Sequence, residues 1–347
     1  MKIVFEEFLE NACLILPGDP SIHSEQRVIF RRDPLMGNLS VLGEGMAQKA
    51  ELFFGRTDNQ LIKLCADNTR QNCFFCVENV EKVTPQYPSE FIPEGRIKGE
   101  NSILFPNLFP LAQIHAVITF PEQHSMNLSD FNQARLQDVL NVTREFNLRC
   151  TSYYDNIRFL SLNINHLPPA GASLFHPHFQ IFGMSEYPTR FKVMFDKSSE
   201  FAAKRGVNYW HELVNTERNM KARWIGLSGE WHWITAFSPS GPNEILGIPE
   251  RHKSITQLTR QDVNDLASGI SKILRYFHEQ GYSSYNFTLA GSVDSQSSNM
   301  PCMVRIITRQ NFRPNYRTDD YFLQKFLGIE LIIVTPEQLA LGIKRVF

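Results

Sequence analysis

The stretch FHPHFQIF, residues 175–182, sets His176, His178 and Gln180 at every second position of an otherwise apolar run. In extended backbone, side chains alternate between faces, so these three polar groups share one face. A single strand histidine is ordinarily a hydrogen-bonded bystander. Two imidazoles and an amide on one face are costly to desolvate, and Val, Ile or Phe would suit a buried face better. The approach to them, NINHLPPAGASL (163–174), supplies Asn165, a Pro-Pro turn, Gly171 and Ser173. Glycine and small residues let backbone come close to a ligand and offer N–H groups to an anion. Imidazole nitrogen is a competent nucleophile toward phosphorus and divides one hard displacement into two easier ones. The segment points to a phosphoryl-bearing substrate attacked by a histidine.

At 347 residues the chain exceeds the usual size of one hydrophobic core, so two packed units are expected. With 42% hydrophobic and 20% charged residues it reads as a soluble globular protein. A formal net charge of −1 gives no electrostatic reason to expect nucleic acid or an anionic membrane as partner. The opening MKIVFEEFLENACLILPGDP lacks the pattern of a secretory leader, and no apolar run is long enough to span a bilayer, so a cytoplasmic location is expected. Six cysteines without such a leader argue for reduced thiols. Cys13, Cys65, Cys150 and Cys302 are scattered and read as small packed side chains. Cys73 and Cys76, in QNCFFCVEN, can aim both sulfurs at one point, which is half of a tetrahedral zinc site; two buried thiols or a redox pair fit the spacing as well.

A duplication organises the chain. Residues 116–146 and 244–277 each run as a β-rich segment, Pro-Glu-x-His, a polar link and an amphipathic helix. Ser129 and Thr259 are the expected helix caps, and His124 and His252 fall at equivalent points. The same offset that leads from His124 to His178 leads from His252 to Ile306, so the second copy lacks the paired histidines. The expected architecture is α+β, with two units divided near residues 184–191, as 1–187 and 188–347.

The segment GASLFHPHFQ resembles the active-site motif of the galactose-1-phosphate uridylyltransferase family, a branch of the histidine-triad superfamily, whose pattern is Gly-x-Ser-x-x-His-Pro-His-x-Gln. RRDPLMG (31–37), CFFC, FPEQHS, IPERH and KFLGIELIIVTPEQLALGIKR extend the resemblance over nearly the whole chain. It implies two tandem histidine-triad-like units, each an antiparallel sheet with packed helices, the second lacking the catalytic histidines. It also implies that His178 is the nucleophile and that Gln180 hydrogen-bonds the transferred phosphoryl group. One structural zinc would be held by Cys73, Cys76, His124 and His176. Asn165, Gly171 and Ser173 match positions near the phosphates, and Glu330 one that contacts the sugar. Gln180 stands where hydrolases of the superfamily carry a third histidine. An amide orients but cannot donate a titratable proton, so the resemblance implies transfer to a second phosphate rather than to water.

The pattern is broken in places. Met46 stands where a phosphate-contacting arginine is expected, leaving Lys49 as the cation there, and Leu39 replaces a tryptophan. The second-half histidine pair is replaced by PCMVR, so no second metal site is expected, and the glutamine beyond Glu330 has no counterpart. The nucleophile and zinc positions are intact, so the chemistry is expected to be kept and the substrate to differ. Arg305 falls where the second copy would face ligand and is a candidate phosphate contact. His115 reads equally as a pocket-lining group or a packed strand histidine, His166 as part of a solvated loop in preference to a phosphate contact, and EWHWITAF (230–237) as a core strand with an exposed histidine. RRD and KRVF read as charged surface.

The expected activity is nucleotidyl transfer from a nucleotide sugar to a sugar 1-phosphate through a nucleotidyl-histidine. The alternative is phosphorolysis of a nucleotide sugar or dinucleoside polyphosphate by inorganic phosphate. A binding protein that has lost turnover is a third reading, opposed by the intact His178 and Gln180. The resemblance is compatible with a homodimer.

Overall fold

The computed structural model describes residues 3–15, 17, 23–251, 253–294 and 299–347. The chain opens with a long antiparallel hairpin, β1 (Glu6–Ile15) against β2 (His23–Arg32). It turns at Asp33, whose Oδ1 accepts from the N–H groups of Leu35 at 2.9 Å and Met36 at 2.5 Å, and continues as β3 (Leu39–Gly43). Three helices follow: α1 (Ala50–Phe54), α2 (Asn59–Arg70), whose Asp58 cap accepts from Leu61 N–H, and α3 (Val80–Val83). Cys73 and Cys76 lie between α2 and α3.

The first unit proper is β4 (Ile97–Lys98), β5 (Ile103–Pro106), β6 (Ile114–Thr119), α4 (Gln133–Tyr153), β7 (Phe159–His166) and β8 (His178–Met184). After α5 (Thr189–Arg205) and α6 (Tyr209–Met220), the pattern repeats as β9 (Trp224–Ser228), β10 (Trp231–Thr235), β11 (Ile245–Pro249), α7 (Arg260–Glu279), β12 (Tyr285–Ser292) and β13 (Met303–Thr308). The chain ends with β14 (Ile329–Leu331), which pairs in parallel with β3, and α8 (Pro336–Ile343).

The two units do not form separate sheets. Their strands join in one ten-stranded antiparallel sheet of order β4-β5-β6-β8-β7-β12-β13-β11-β10-β9, which reads the same from either end once the copies are matched. The seam is β7 against β12, paired from His166↔Tyr285 to Phe159↔Ser292. α4 and α7 lie side by side on one face, burying Val139, Phe146, Ile270 and Phe277 with Leu162, Phe179, Leu289 and Val304 of the sheet. Alternation turns Leu246 and Met303 to the opposite face, where Phe191, Trp210 and Leu213 of α5 and α6 cover the second unit. On the first unit that opposite face carries His178 and Gln180, and α5 reaches it at Phe159, through Phe191.

Several sequence expectations are corrected. Thr259 caps α7 as expected, in a capping box with Asp262. Ser129 is not a cap: Asn127 caps a short 3₁₀ turn and Asn132 caps α4, two Asn residues competing successfully for the role. His166 is not in a solvated loop but ends β7, buried between the rings of Phe131 and Tyr285. His232 is not exposed, because helices cover both faces of its strand and it pairs with Glu250. Arg31 is not surface either. It is buried against Phe237 and bridges Glu7 at 2.8 Å and Glu337 at 3.0 Å, partners far away in sequence. Glu337 also takes Arg223 at 2.8 Å, and Arg223 takes the buried Glu217 at 2.8 Å, so this network ties the hairpin to α6 and α8. Cys150 and Cys302 are packed, whereas Cys13 is exposed and Cys65 half-buried. His252 lies outside the described residues. No helix among the described residues is long and apolar enough to cross a membrane.

Candidate active site and metal centre

Cys73, Cys76, His124 and His176 are all buried, and one ligand atom from each lies within 4.8 Å of all the others. Cys76 Sγ is 3.2 Å from His124 Nδ1, and His176 Nδ1 is 3.4 Å from Cys73 Sγ and 3.6 Å from Cys76 Sγ. These are the edge lengths of a small tetrahedron of thiolate and imidazole ligands. Both rings are oriented from behind: His176 Nε2 donates to the Phe120 carbonyl at 3.0 Å, and His124 Nε2 donates to Thr69 Oγ1 at 3.0 Å. That leaves both Nδ1 lone pairs facing the sulfurs, the arrangement metal-ligating histidines adopt. Burial pushes the His176 imidazole down to about 3, and burial together with Cys73 pushes the Cys76 thiol up to about 12. A neutral imidazole suits a metal, and a bound cation would reverse the thiol shift. The cluster can hold one metal ion.

β8 starts at His178, with Pro177 breaking the ladder between the two histidines, and it hydrogen-bonds β6 on one side and β7 on the other. His176 turns to the cysteines and His178 to the open face. His178 Nδ1–H donates to the carbonyl of His176 at 2.9 Å, which leaves Nε2 with the lone pair. Burial lowers the His178 pKa, so the ring is neutral near pH 7. The Phe75 ring sits 5.3 Å from it. Nε2 is a candidate nucleophile, held in one tautomer and one orientation.

A cavity of about 370 Å³ lies over this face, lined by His178, Gln180 and Ser173 and walled by Phe74, Phe75, Phe105 and Phe109. Its aromatic wall suits a planar base. A second cavity, about 420 Å³, lies over the seam and is lined by Asn163, Asn165, Asn286, Arg190, Glu244 and Arg305. Arg190 and Ser240 lead from it into a third, about 400 Å³, which holds Glu330, Arg309 and Asp319. A hydrogen-bonded row crosses these two: Arg309 donates to Asn286 at 2.7 Å, and Asn286 donates to Asn165 at 2.7 Å. Burial pushes the Glu330 carboxyl up to about 7, while Gln324 Nε2 and Leu331 N–H each donate to it at 2.9 Å.

The structure therefore gathers His178, Gln180 and Ser173 in one cavity, and Asn165, Arg305 and Glu330 around the adjoining pair. Gly171 closes the loop before the histidines at φ +90, a left-handed conformation that favours glycine. Arg305 is held by the buried Glu244 at 2.7 Å. Lys49 is not brought in: it is exposed at the end of the 3₁₀ turn Met46–Lys49 and lines none of these cavities. Met46 packs on Phe53, Phe54 and Ile333. Asn286, Arg309 and Arg190 escaped sequence reasoning. The signal for Asn286 was the repeat itself, since β12 pairs with β7 so that Asn286 stands opposite Asn165.

No family model matches the chain. An uncharacterized protein of Archaeoglobus fulgidus is 29% identical over 283 residues, 81% of this chain and 83% of its own. ADP-glucose phosphorylase of Arabidopsis thaliana is 24% identical over 261 residues, 68% of this chain and 70% of its own. The crystal structure of an Arabidopsis thaliana ADP-glucose phosphorylase with bound ADP-glucose superposes with a TM-score of 0.68 at 18% identity, over 92% of this chain and 99% of that one. A uridylyltransferase mutant superposes at 0.66 and 20% identity, over 79% and 93%. This chain has the uridylyltransferase fold. The resemblance read from the His-Pro-His-x-Gln segment thus holds at the level of the whole architecture. In the uridylyltransferase fold of this chain, β8 carries both the candidate nucleophile and, just before it, a candidate metal ligand.

Proposed function

We propose that the protein is a nucleotidyl-transferring enzyme that takes a nucleoside monophosphate from a nucleotide sugar onto His178 and passes it to a phosphate-bearing acceptor. The observation that carries this is the His178 imidazole, its Nδ1 proton committed to the His176 carbonyl and its Nε2 lone pair free beside an aromatic-walled cavity. Nε2 attacks the α-phosphorus, an N–P bond forms, and the bond to the bridging oxygen breaks, releasing a sugar 1-phosphate. A phosphate oxygen of the acceptor then attacks the same phosphorus, and Nε2 leaves with its lone pair restored. The Gln180 amide donates to the phosphoryl oxygens, and Ser173 and the Gly171 loop border the same charge. Asn165 and Glu330 line the neighbouring cavities, whose amides and carboxyls suit sugar hydroxyls. The acceptor is a sugar 1-phosphate in the first reading. The likeness to ADP-glucose phosphorylase in sequence and structure favours a second, with inorganic phosphate as acceptor.

The metal is proposed to be a structural zinc, closed by two thiolates and two imidazoles with no open position. When bound it supplies rigidity to the peptide that orients His178. The duplicated units are proposed to divide near residues 187 and 188, with the second contributing substrate contacts.

The test is intact-mass spectrometry after separate incubation with UDP-, ADP- and GDP-glucose and with diadenosine tetraphosphate. A nucleoside-monophosphate adduct that is absent in His178→Gly is expected from one of them. No adduct from any donor would overturn the reading. Discharge of the adduct by phosphate or by glucose 1-phosphate then distinguishes the acceptors.

A further inference from the structure

We propose that His115 is a positioning residue that fixes which end of the Gln180 amide faces the transferred phosphoryl group. The inference rests on the nucleotidyl-transfer reading and adds to it a residue outside the histidine motif. His115 is buried on β6, and its two ring nitrogens meet different partners. The backbone N–H of Leu111 donates to Nδ1 at 3.1 Å. A backbone donor cannot turn away, so Nδ1 must present its lone pair and the proton of the neutral ring must sit on Nε2. That Nε2 lies 2.8 Å from Gln180 Oε1. The Nε2–H therefore donates to the amide oxygen, which leaves the amide NH₂ to turn toward the cavity Gln180 shares with His178.

Asn107 also approaches. Its Oδ1 accepts from Phe109 N–H at 2.9 Å, and its Nδ2 lies 3.2 Å from His115 Nε2. A ring that accepted from Asn107 would carry its proton on Nδ1, directed at the fixed Leu111 N–H. The Gln180 contact is also the shorter of the two.

The orientation matters because the two ends of an amide have opposite character. The NH₂ end stabilises the negative oxygens of a phosphoryl group in transfer, whereas the oxygen end repels them. The sheet repeats the device. On the first unit Val117 pairs with Gln180, and His115, two residues earlier on the same face, reaches it diagonally. On the second unit Leu246 pairs with Arg305, and Glu244, two residues earlier, accepts from Arg305 Nε at 2.7 Å. In both copies the strand neighbour orients a polar side chain that lines a cavity, with a different pair in each.

The experiment compares wild type, His115→Phe, His115→Gln and Gln180→Ala, alone and with His115→Phe added to Gln180→Ala. The rate of adduct formation on His178 is measured with the glucose nucleotide that loads the wild type. Metal content and thermal midpoint are followed in parallel as fold controls. His115→Phe should slow loading roughly ten- to a hundredfold with the donor KM little changed, because the amide is free to flip. His115→Gln, which can donate from the same place, should recover part of the rate. In the Gln180→Ala background, His115→Phe should cost nothing further. Wild-type loading by His115→Phe overturns the proposal, and so does an equal loss in the Gln180→Ala background. Nitrogen-15 NMR of the wild type should find His115 as the Nε2–H tautomer; the Nδ1–H tautomer overturns the proposal whatever the activity. Absence of any adduct in the wild type instead counts against nucleotidyl transfer, and the tautomer then decides the orientation separately.

Discussion

The Nδ1–H of His178 donates to the carbonyl of His176 at 2.9 Å, while the His176 ring turns its own Nδ1 onto Cys73 and Cys76 at 3.4 and 3.6 Å. One residue thus joins the candidate metal cluster through its side chain and locks the His178 tautomer through its backbone. Whatever holds the His176 ring also holds the carbonyl that orients the His178 ring.

Removal of the metal is therefore expected to impair loading of His178 as well as stability. The protein should carry about one zinc per chain, lost in Cys73→Ser and on treatment with a strong chelator. Metal analysis, thermal unfolding and adduct formation, followed together during chelation, should decline in step. A metal-free protein that stays fully folded would refute the assignment.

The ion network of Arg31, Arg223, Glu217 and Glu337 joins three distant parts of the chain. Arg223 and Glu217 have side chains only 4% and 1% exposed, so removing one strands the other without water. Glu217→Ala should cost about 3–5 kcal/mol in urea unfolding. Exposed pairs such as Lys63 with Asp67 should cost less than about 1 kcal/mol when broken.

Glu330 has its carboxyl pushed up to about 7 by burial, against an unperturbed 4.5. A raised carboxyl pKa means that stability is full below the unfolded value and falls as pH rises through the folded one. Glu330→Gln should leave the thermal midpoint unchanged near pH 4.5 and raise it at pH 8. The gain there should be at most about 3 kcal/mol. If the carboxyl reads sugar hydroxyls, the same variant should raise the donor KM. A midpoint that falls equally at both pH values would show that the charge is not under strain.

His166 behaves with the opposite sign. Burial between Phe131 and Tyr285 pushes it down to about 3 from 6.5, so the native state excludes a proton that the unfolded chain binds. Stability is full above pH 6.5 and is lost as pH falls below it, by roughly 3 kcal/mol at pH 4. His166→Phe should flatten this slope. Urea titrations between pH 7 and 4 would check it, and parallel slopes for the two proteins would contradict it.

The site was legible where its chemistry is local. His-Pro-His-x-Gln and Cys-x-x-Cys lie within a few residues each, and the duplication could be counted from His124 to His178. Contacts across strands were not legible. Nothing near His115 names Gln180 as its partner, and Arg31 finds Glu337 only when the chain's two ends meet. Ser129 failed as a cap because local composition offered Asn127 and Asn132 as better ones. His232 was misplaced because an alternating pattern implies one wet face, and its strand has none. That the two units share one sheet was not legible, because pairing between β7 and β12 depends on register, which apolar alternation does not encode.

The seam also bears on how the chain comes to be folded. β7 finds its second neighbour only in the other half of the chain, so the unit that carries His178 is synthesised long before its β7 edge can be closed. Until β12 arrives, an eight-residue strand presents unpaired backbone to any other chain nearby, and such edges template association. Pairing with β12 closes that edge, so the second unit, which lacks the paired histidines, completes the sheet around the strands that carry His178 and Gln180.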